Sequence, residues 1–68
     1  MKALVTGGGG FLGLYLVEQL LCSGVDVKVF CRGRYPALDA LSVPTVQGDL
    51  RDAAAVKSAC LGMDAVFH

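Results

Sequence analysis

The apolar positions along the chain fall into two kinds of run, and their alternation predicts the fold. Residues 2–5, 26–31 and 45–47 are short stretches rich in strand formers, and residues 64–68 begin a fourth. The first is almost continuously apolar (Ala3-Leu4-Val5), which suits a strand covered on both faces of a parallel sheet. In the second, Val25, Val27 and Val29 alternate with Asp26, Lys28 and Phe30. Between these strands the spacing becomes helical. From residue 10 or 11 to about Cys22, a stripe of Leu12, Leu16, Val17, Leu20 and Leu21, with Gly13, leaves Phe11, Leu14, Tyr15, Glu18 and Gln19 off it. Gly24 is placed to end that helix. Pro36 suits the first turn of a short helix over residues 37–41, and Pro44 precedes the third strand. Asp52 reads as the N-cap of a helix from residue 53 to about 61, with Val56, Ala59 and Cys60 inward and Gly62 as its stop.

Strand, helix, strand, short helix, strand, helix, strand is the order of an α/β parallel sheet. Right-handed crossovers restrict its layout. If strands one to three step outward and the fourth returns beside the first, the first two helices share one face and the third covers the other. The strand order becomes 3-2-1-4, the N-terminal part of a Rossmann-type doubly wound sheet. Its switch point falls at the C-terminal end of strand one, where Gly7, Gly8, Gly9 and Gly10 follow Thr6.

That position gives the glycines a chemistry. The first N–H groups of a helix have no internal acceptor, and the helix dipole favours an anion there. Gly8-x-Gly10-x-x-Gly13 has the spacing of a dinucleotide-binding turn, and Thr6-Gly7-x-x-Gly10-x-x-Gly13 that of its T-G-x-x-G-x-x-G variant. On this reading Gly7 makes the turn, Gly10 lets a pyrophosphate approach, and Gly13 lets helix and sheet pack closely, while N–H groups near Phe11 and Leu12 meet phosphate oxygens. A glycine-rich turn that serves packing alone is the other reading. No Gly-Lys-Ser/Thr follows, which disfavours a P-loop.

The end of strand two bears on which dinucleotide binds. NAD-binding sheets usually carry an acidic residue there, about 20 residues beyond the glycines, whereas NADP binders offer arginine. Cys31 holds that place, Arg32 follows and Arg34 is near. Two guanidinium groups suit a 2′-phosphate, which favours NADP(H) and leaves NAD(H) open. A merely solvated turn would carry the same arginines. Asp49 and Leu50 follow strand three on the same edge of the sheet, where they would serve as acceptor for an adenine amino group and as apolar wall. A loop aspartate capping its own turn fits the spacing equally well.

Composition narrows the class. With 54% apolar residues, the 68-residue chain can build the core of one small domain. A domain of this size buries only about 60% of the surface its unfolded chain exposes. Six basic and six acidic side chains give zero net charge, so no global field draws nucleic acid or an anionic membrane. No apolar run approaches the roughly 18 residues of a membrane span, and the expected location is cytoplasmic. Cys22, Cys31 and Cys60 are widely spaced and share the chain with one histidine, so they read as buried small side chains and no metal site is expected.

The residues also resemble a known family. Thr6-Gly7-x-x-Gly10-Phe11-Leu12-Gly13, Gly48-Asp49-Leu50 and Asp64-Ala65-Val66-Phe67-His68 are similar to the extended short-chain dehydrogenase/reductases, a group that includes NAD-dependent epimerases and dehydratases. Arg32-Gly33-Arg34-Tyr35-Pro36-Ala37-Leu38 narrows the likeness to the branch of 3β-hydroxysteroid dehydrogenases and 2-alkyl-3-ketoacid reductases. The resemblance implies an NAD(P)-dependent oxidoreductase acting on a hydroxyl or ketone carbon of a sterol-like or long-chain substrate. It also implies pyrophosphate binding by Gly7, Gly10, Phe11, Leu12 and Gly13, ribose or phosphate contact by Arg32, and adenine contact by Asp49 and Leu50.

The family's catalysis needs a Tyr-x-x-x-Lys pair. Here Gln19 stands four residues after Tyr15, and Asp39 four after Tyr35. No residue is therefore expected to be catalytic, His68 included, and residues 1–68 are expected to be a partial NAD(P)-binding domain without its substrate domain. A sugar-nucleotide epimerase or dehydratase and a non-catalytic dinucleotide sensor remain as alternatives. The apolar fourth strand at an open sheet edge predicts self-association.

Overall fold

The computed structural model describes residues 1–7 and 10–67, so Gly8, Gly9 and His68, with the expectations placed on them, lie outside the described residues. The elements are β1 (Lys2–Thr6), α1 (Phe11–Cys22), β2 (Asp26–Cys31), α2 (Pro36–Ala40), β3 (Thr45–Gln47), α3 (Ala53–Cys60) and β4 (Ala65–Phe67). All strands are parallel, in the order β3-β2-β1-β4.

Burial explains that order. Ala3, Leu4 and Val5 of β1 are buried, because both faces of the central strand are covered. On one face Val5, Val27, Val29 and Cys31 pack with Val17 of α1 and Leu38 of α2. On the other, Leu4 and Phe30 meet Ala59 of α3. Helices α1 and α2 thus share a face, and α3 lies opposite, as right-handed crossovers require once β4 returns beside β1. The register sets Thr6 against Phe30 and Phe30 against Val46, so β1, β2 and β3 end level at one edge.

The connections between helices and strands depend on how the helices begin and end. Helix α1 closes in a Schellman motif: Gly24, at φ +79°, donates its N–H to Leu21 O at 3.0 Å, and the Val25 N–H reaches Leu20 O at 3.1 Å. Helix α2 closes the same way, but with a serine in the left-handed position. Ser42, at φ 57°, donates to Asp39 O at 3.0 Å, and Val43 to Leu38 O at 3.5 Å. A side chain in that conformation is strained where glycine is not. Ser42→Gly should therefore stabilise the chain by about 0.5–1 kcal/mol after the added unfolded-state entropy is offset. A rise in urea midpoint at constant slope is the expected result, and a fall would show that the serine is unstrained. At α3, Asp52 caps as expected, its Oδ1 accepting the Ala55 N–H at 3.2 Å.

Two details of the helical expectation are corrected. Leu12 is 80% exposed, whereas Leu14 packs on the core around Val17. At 3.6 residues per turn Leu12 lies about 140° round the helix from Val17, and Leu14 only about 60°. Leu16, Val17, Leu20 and Leu21 lie on the inward side as expected, joined there by Leu14 in place of Leu12. Cys22, expected inside, is exposed at the end of α1; Cys31 is buried and Cys60 half-buried. Phe11 and Tyr15 are exposed as expected. Among the described residues no helix is long and apolar enough to cross a membrane.

Candidate functional site

The site grows from the end of β1. The Thr6 hydroxyl donates to the Phe67 carbonyl at 3.3 Å, tying β1 to β4 where the sheet changes direction. Gly7 follows at φ +71°, a backbone state that glycine takes without strain. Its N–H donates to the Phe30 carbonyl at 3.3 Å, and its own carbonyl accepts the Gly10 N–H at 3.2 Å. Gly7 and Gly10 are thus bonded to each other, and Gly10 is the N-cap of α1.

Among the described residues, nothing from the chain's own side chains occupies this helix start. No side chain caps it, and its first turn holds no acidic residue. A Cβ on Gly10 would have Gly7 O, at 3.7 Å, as its nearest neighbour, so packing within the chain does not demand glycine there. Gly7 and Gly10 line two adjoining depressions. One, about 150 Å³, runs past Arg32, Tyr35, Gly48 and Leu50. The other, about 470 Å³, runs along Thr6, Phe11, Leu12 and Gly13. A pyrophosphate on the shared glycine wall would have its two nucleoside halves in the two depressions. The cradle, the bare helix N-terminus and the neighbouring cation fit that group. A further cleft of about 410 Å³ lies at the opposite edge, by Lys2, Asp26, Val43 and Pro44, away from the glycine turn.

The residues after β2 divide their roles. Cys31, in the place of the acidic residue, is only 5% exposed, and its thiol donates to the Gly33 carbonyl at 3.1 Å. Burial pushes that thiol's pKa up, so it stays neutral and offers no anionic acceptor to a ribose. Arg32 is exposed and lines the smaller depression. Arg34 turns instead to Asp39, at 3.5 Å, in a solvent-exposed pair.

Loop 48–52 is organised by its own charges. The Asp49 carboxylate accepts the Arg51 N–H at 2.9 Å, Nε at 3.1 and 3.2 Å, and Nη2 at 2.7 Å. Arg51 thereby holds the Asp49 carboxyl below its ordinary pKa, with the charge of Arg32 adding to the effect. The local turn expected as one reading of Asp49 is thus formed, and Leu50, 47% exposed, is what this loop adds to the cleft together with Gly48.

Sequence reasoning missed three residues here. Tyr35, the residue before α2, lines the small depression, and its place three residues after Arg32 was the available signal. By its sequence Phe30 is only one position in an alternation, and Gly48 only part of a motif, yet a Cβ on Gly48 would stand 2.7 Å from Phe30 Cζ.

Known proteins resemble this chain in sequence and in fold. A 2-alkyl-3-oxoalkanoate reductase of Shewanella oneidensis is 52% identical over 66 residues, which are 97% of this chain and 17% of that protein. A 3-beta-hydroxysteroid dehydrogenase of Mycolicibacterium neoaurum is 40% identical over 67 residues, 98% of this chain and 18% of that protein. The chain therefore spans about a fifth of the length of these curated relatives. Among solved structures, the Thermus thermophilus UDP-glucose 4-epimerase complex with NAD superposes with a TM-score of 0.77 at 40% identity, over 88% of this chain and 20% of that one. MoeE5 in complex with UDP-glucose and NAD gives 0.82 at 32% identity, over 100% and 21%. The model of the NAD-dependent epimerase/dehydratase family matches residues 3–68, from the first strand through the glycine turn to the last, and this chain belongs to that family.

Proposed function

We propose that residues 1–68 are the dinucleotide-gripping part of a Rossmann domain in an NAD(P)-dependent oxidoreductase. The longer protein would pass a hydride between a nicotinamide and a hydroxyl or ketone carbon of a sterol-like or long-chain substrate. The observation that carries this reading is that Gly7 and Gly10, bonded to each other at the start of α1, both line the two depressions. Gly7, Gly10, Phe11, Leu12 and Gly13 hold the pyrophosphate with backbone N–H groups and the helix dipole. Leu50 packs on the adenine, and Asp49 accepts from its amino group by giving up part of its contact with Arg51. The bound nicotinamide supplies the hydride chemistry. With no Tyr-x-x-x-Lys pair in these 68 residues, catalysis is assigned to the remainder of a longer protein.

Within this reading NADP(H) is the preferred cofactor. A buried neutral thiol stands where NAD binders place an acid, and Arg32 lines the cleft beside it. Arg34 adds a second cation once it leaves Asp39. Arg32→Ala should weaken NADPH about 10- to 100-fold, the loss of charge-assisted hydrogen bonds to a 2′-phosphate, and change NADH by less than about threefold. Fluorescence titration of both cofactors reads this. Equal affinities in the wild type, untouched by Arg32→Ala, would overturn the preference.

The substrate class rests on the relatives named as reductase and hydroxysteroid dehydrogenase. A sugar-nucleotide epimerase is the second reading, favoured by the solved neighbours that hold UDP-glucose or are named for it. Three free thiols support a cytoplasmic location. The β4 edge, with Val66 51% exposed, supports pairing with another chain.

A further inference from the structure

We propose that Phe30 is a positioning residue for the nucleotide cleft, holding its two walls at a fixed separation; the inference rests on the dinucleotide reading above. Phe30 lies in β2 between Thr6 and Val46. Its backbone carbonyl accepts the Gly7 N–H at 3.3 Å and so pins the start of the glycine turn. Its ring leaves on the α3 face, 1% exposed, against Leu4 and Ala59. The far end of that ring underlies Gly48. A Cβ on Gly48 would stand 2.7 Å from Cζ, closer than real side chains approach, and 3.0 Å from Cε2.

Gly48 is not in the left-handed region, so its backbone would accept any residue, and the ring alone excludes one. The Gly48 N–H is also tied to β2, donating to the Cys31 carbonyl at 2.9 Å. One residue therefore touches both walls, by its backbone at Gly7 and by its ring at Gly48. A phenyl ring is rigid and its surroundings are packed, so its length fixes how closely the 48–50 loop approaches the glycine turn. The adenine subsite lies on the Gly48–Leu50 wall and the pyrophosphate subsite on the Gly7–Gly10 wall. Moving Gly48 should disturb the first and spare the second.

Leucine at position 30 lacks the Cε and Cζ atoms that a Cβ on residue 48 would meet, which makes a complementary pair of variants. The test titrates the intact protein with 5′-AMP and with inorganic pyrophosphate by calorimetry. Gly48→Ala should weaken AMP about tenfold and leave pyrophosphate within about twofold. Adding Phe30→Leu to Gly48→Ala should return AMP to within about threefold of wild type. A folded Gly48→Ala variant with unchanged AMP affinity would overturn the inference, as would a double variant no better than Gly48→Ala alone. If Gly48→Ala does not fold, the double variant decides: folded with near-wild-type AMP affinity supports the inference, and failure to fold or loss of AMP affinity overturns it. Wild-type protein that binds neither probe would overturn the dinucleotide reading and this inference together. Binding of both probes with AMP indifferent to residue 48 would overturn the inference alone.

Discussion

Gly10→Glu should abolish dinucleotide binding while leaving the fold in place. The N-cap position is exposed, and a Cβ there meets nothing closer than Gly7 O at 3.7 Å. Replacing an N-cap glycine costs a few tenths of a kcal/mol, and a carboxylate at a helix start returns about as much through the dipole, so stability should stay within about 1 kcal/mol. Binding is another matter. The new carboxylate would occupy the space and the field that the proposed pyrophosphate site uses. Like charges brought together at a binding site cost several kcal/mol, which corresponds to a loss of at least about a hundredfold. Thermal melts and NADPH titration of the same sample separate the two effects. Wild-type affinity in a folded Gly10→Glu protein would remove the glycine turn from the site.

Phe30→Ala should unfold the chain at room temperature. Truncating a fully buried phenylalanine costs about 3–5 kcal/mol, and a core of this size rarely supplies more than that in total. The ring belongs to the smaller of two cores, with Leu4 and Ala59, so no large cluster can collapse into the space it leaves. Val66→Ala, half-exposed on the edge strand, is the control and should change stability by less than about 0.5 kcal/mol. Far-ultraviolet circular dichroism through a urea series reads both. A cooperative transition for Phe30→Ala near the wild-type midpoint would mean that α3 does not depend on this contact.

The sheet was legible in the sequence because several signals agreed on it. A doubly apolar β1, proline at the start of α2, Asp52 capping α3 and glycine after α1 each mark an element locally. The handedness of crossovers then leaves few arrangements, and the observed β3-β2-β1-β4 is the expected one. Periodicity was weaker at fixing which face turns inward. The line of leucines at 12, 16 and 20 drew the stripe of α1 to one side, although Leu14 and not Leu12 faces the core. An almost wholly apolar helix start carries little contrast between faces, and only docking on β1 and β2 decides.

The same limit applied at the site. Gly7 could be read because a tight turn before a helix calls for a left-handed residue, and Gly10 because the spacing of the glycine motif marks it. Arg32 and Leu50 were placed by counting from strand ends, and they do line one cleft. The pairings of Asp49 with Arg51 and of Arg34 with Asp39 depend on side-chain directions that spacing does not specify. The contact between Phe30 and Gly48 joins residues from different strands, so it exists only once the register of β2 on β3 is set.

The central claim is that the glycine turn and the loops beside it hold a nicotinamide dinucleotide. Amide nuclear magnetic resonance during NADPH titration tests this most directly. The backbone signals of Gly7, Gly10, Phe11, Leu12 and Gly13 should shift together with those of Arg32 and Leu50, while those of Lys2, Val43 and Pro44's neighbour Thr45 should stay in place. Shifts confined to the opposite edge of the sheet, or none at saturating cofactor, would contradict it.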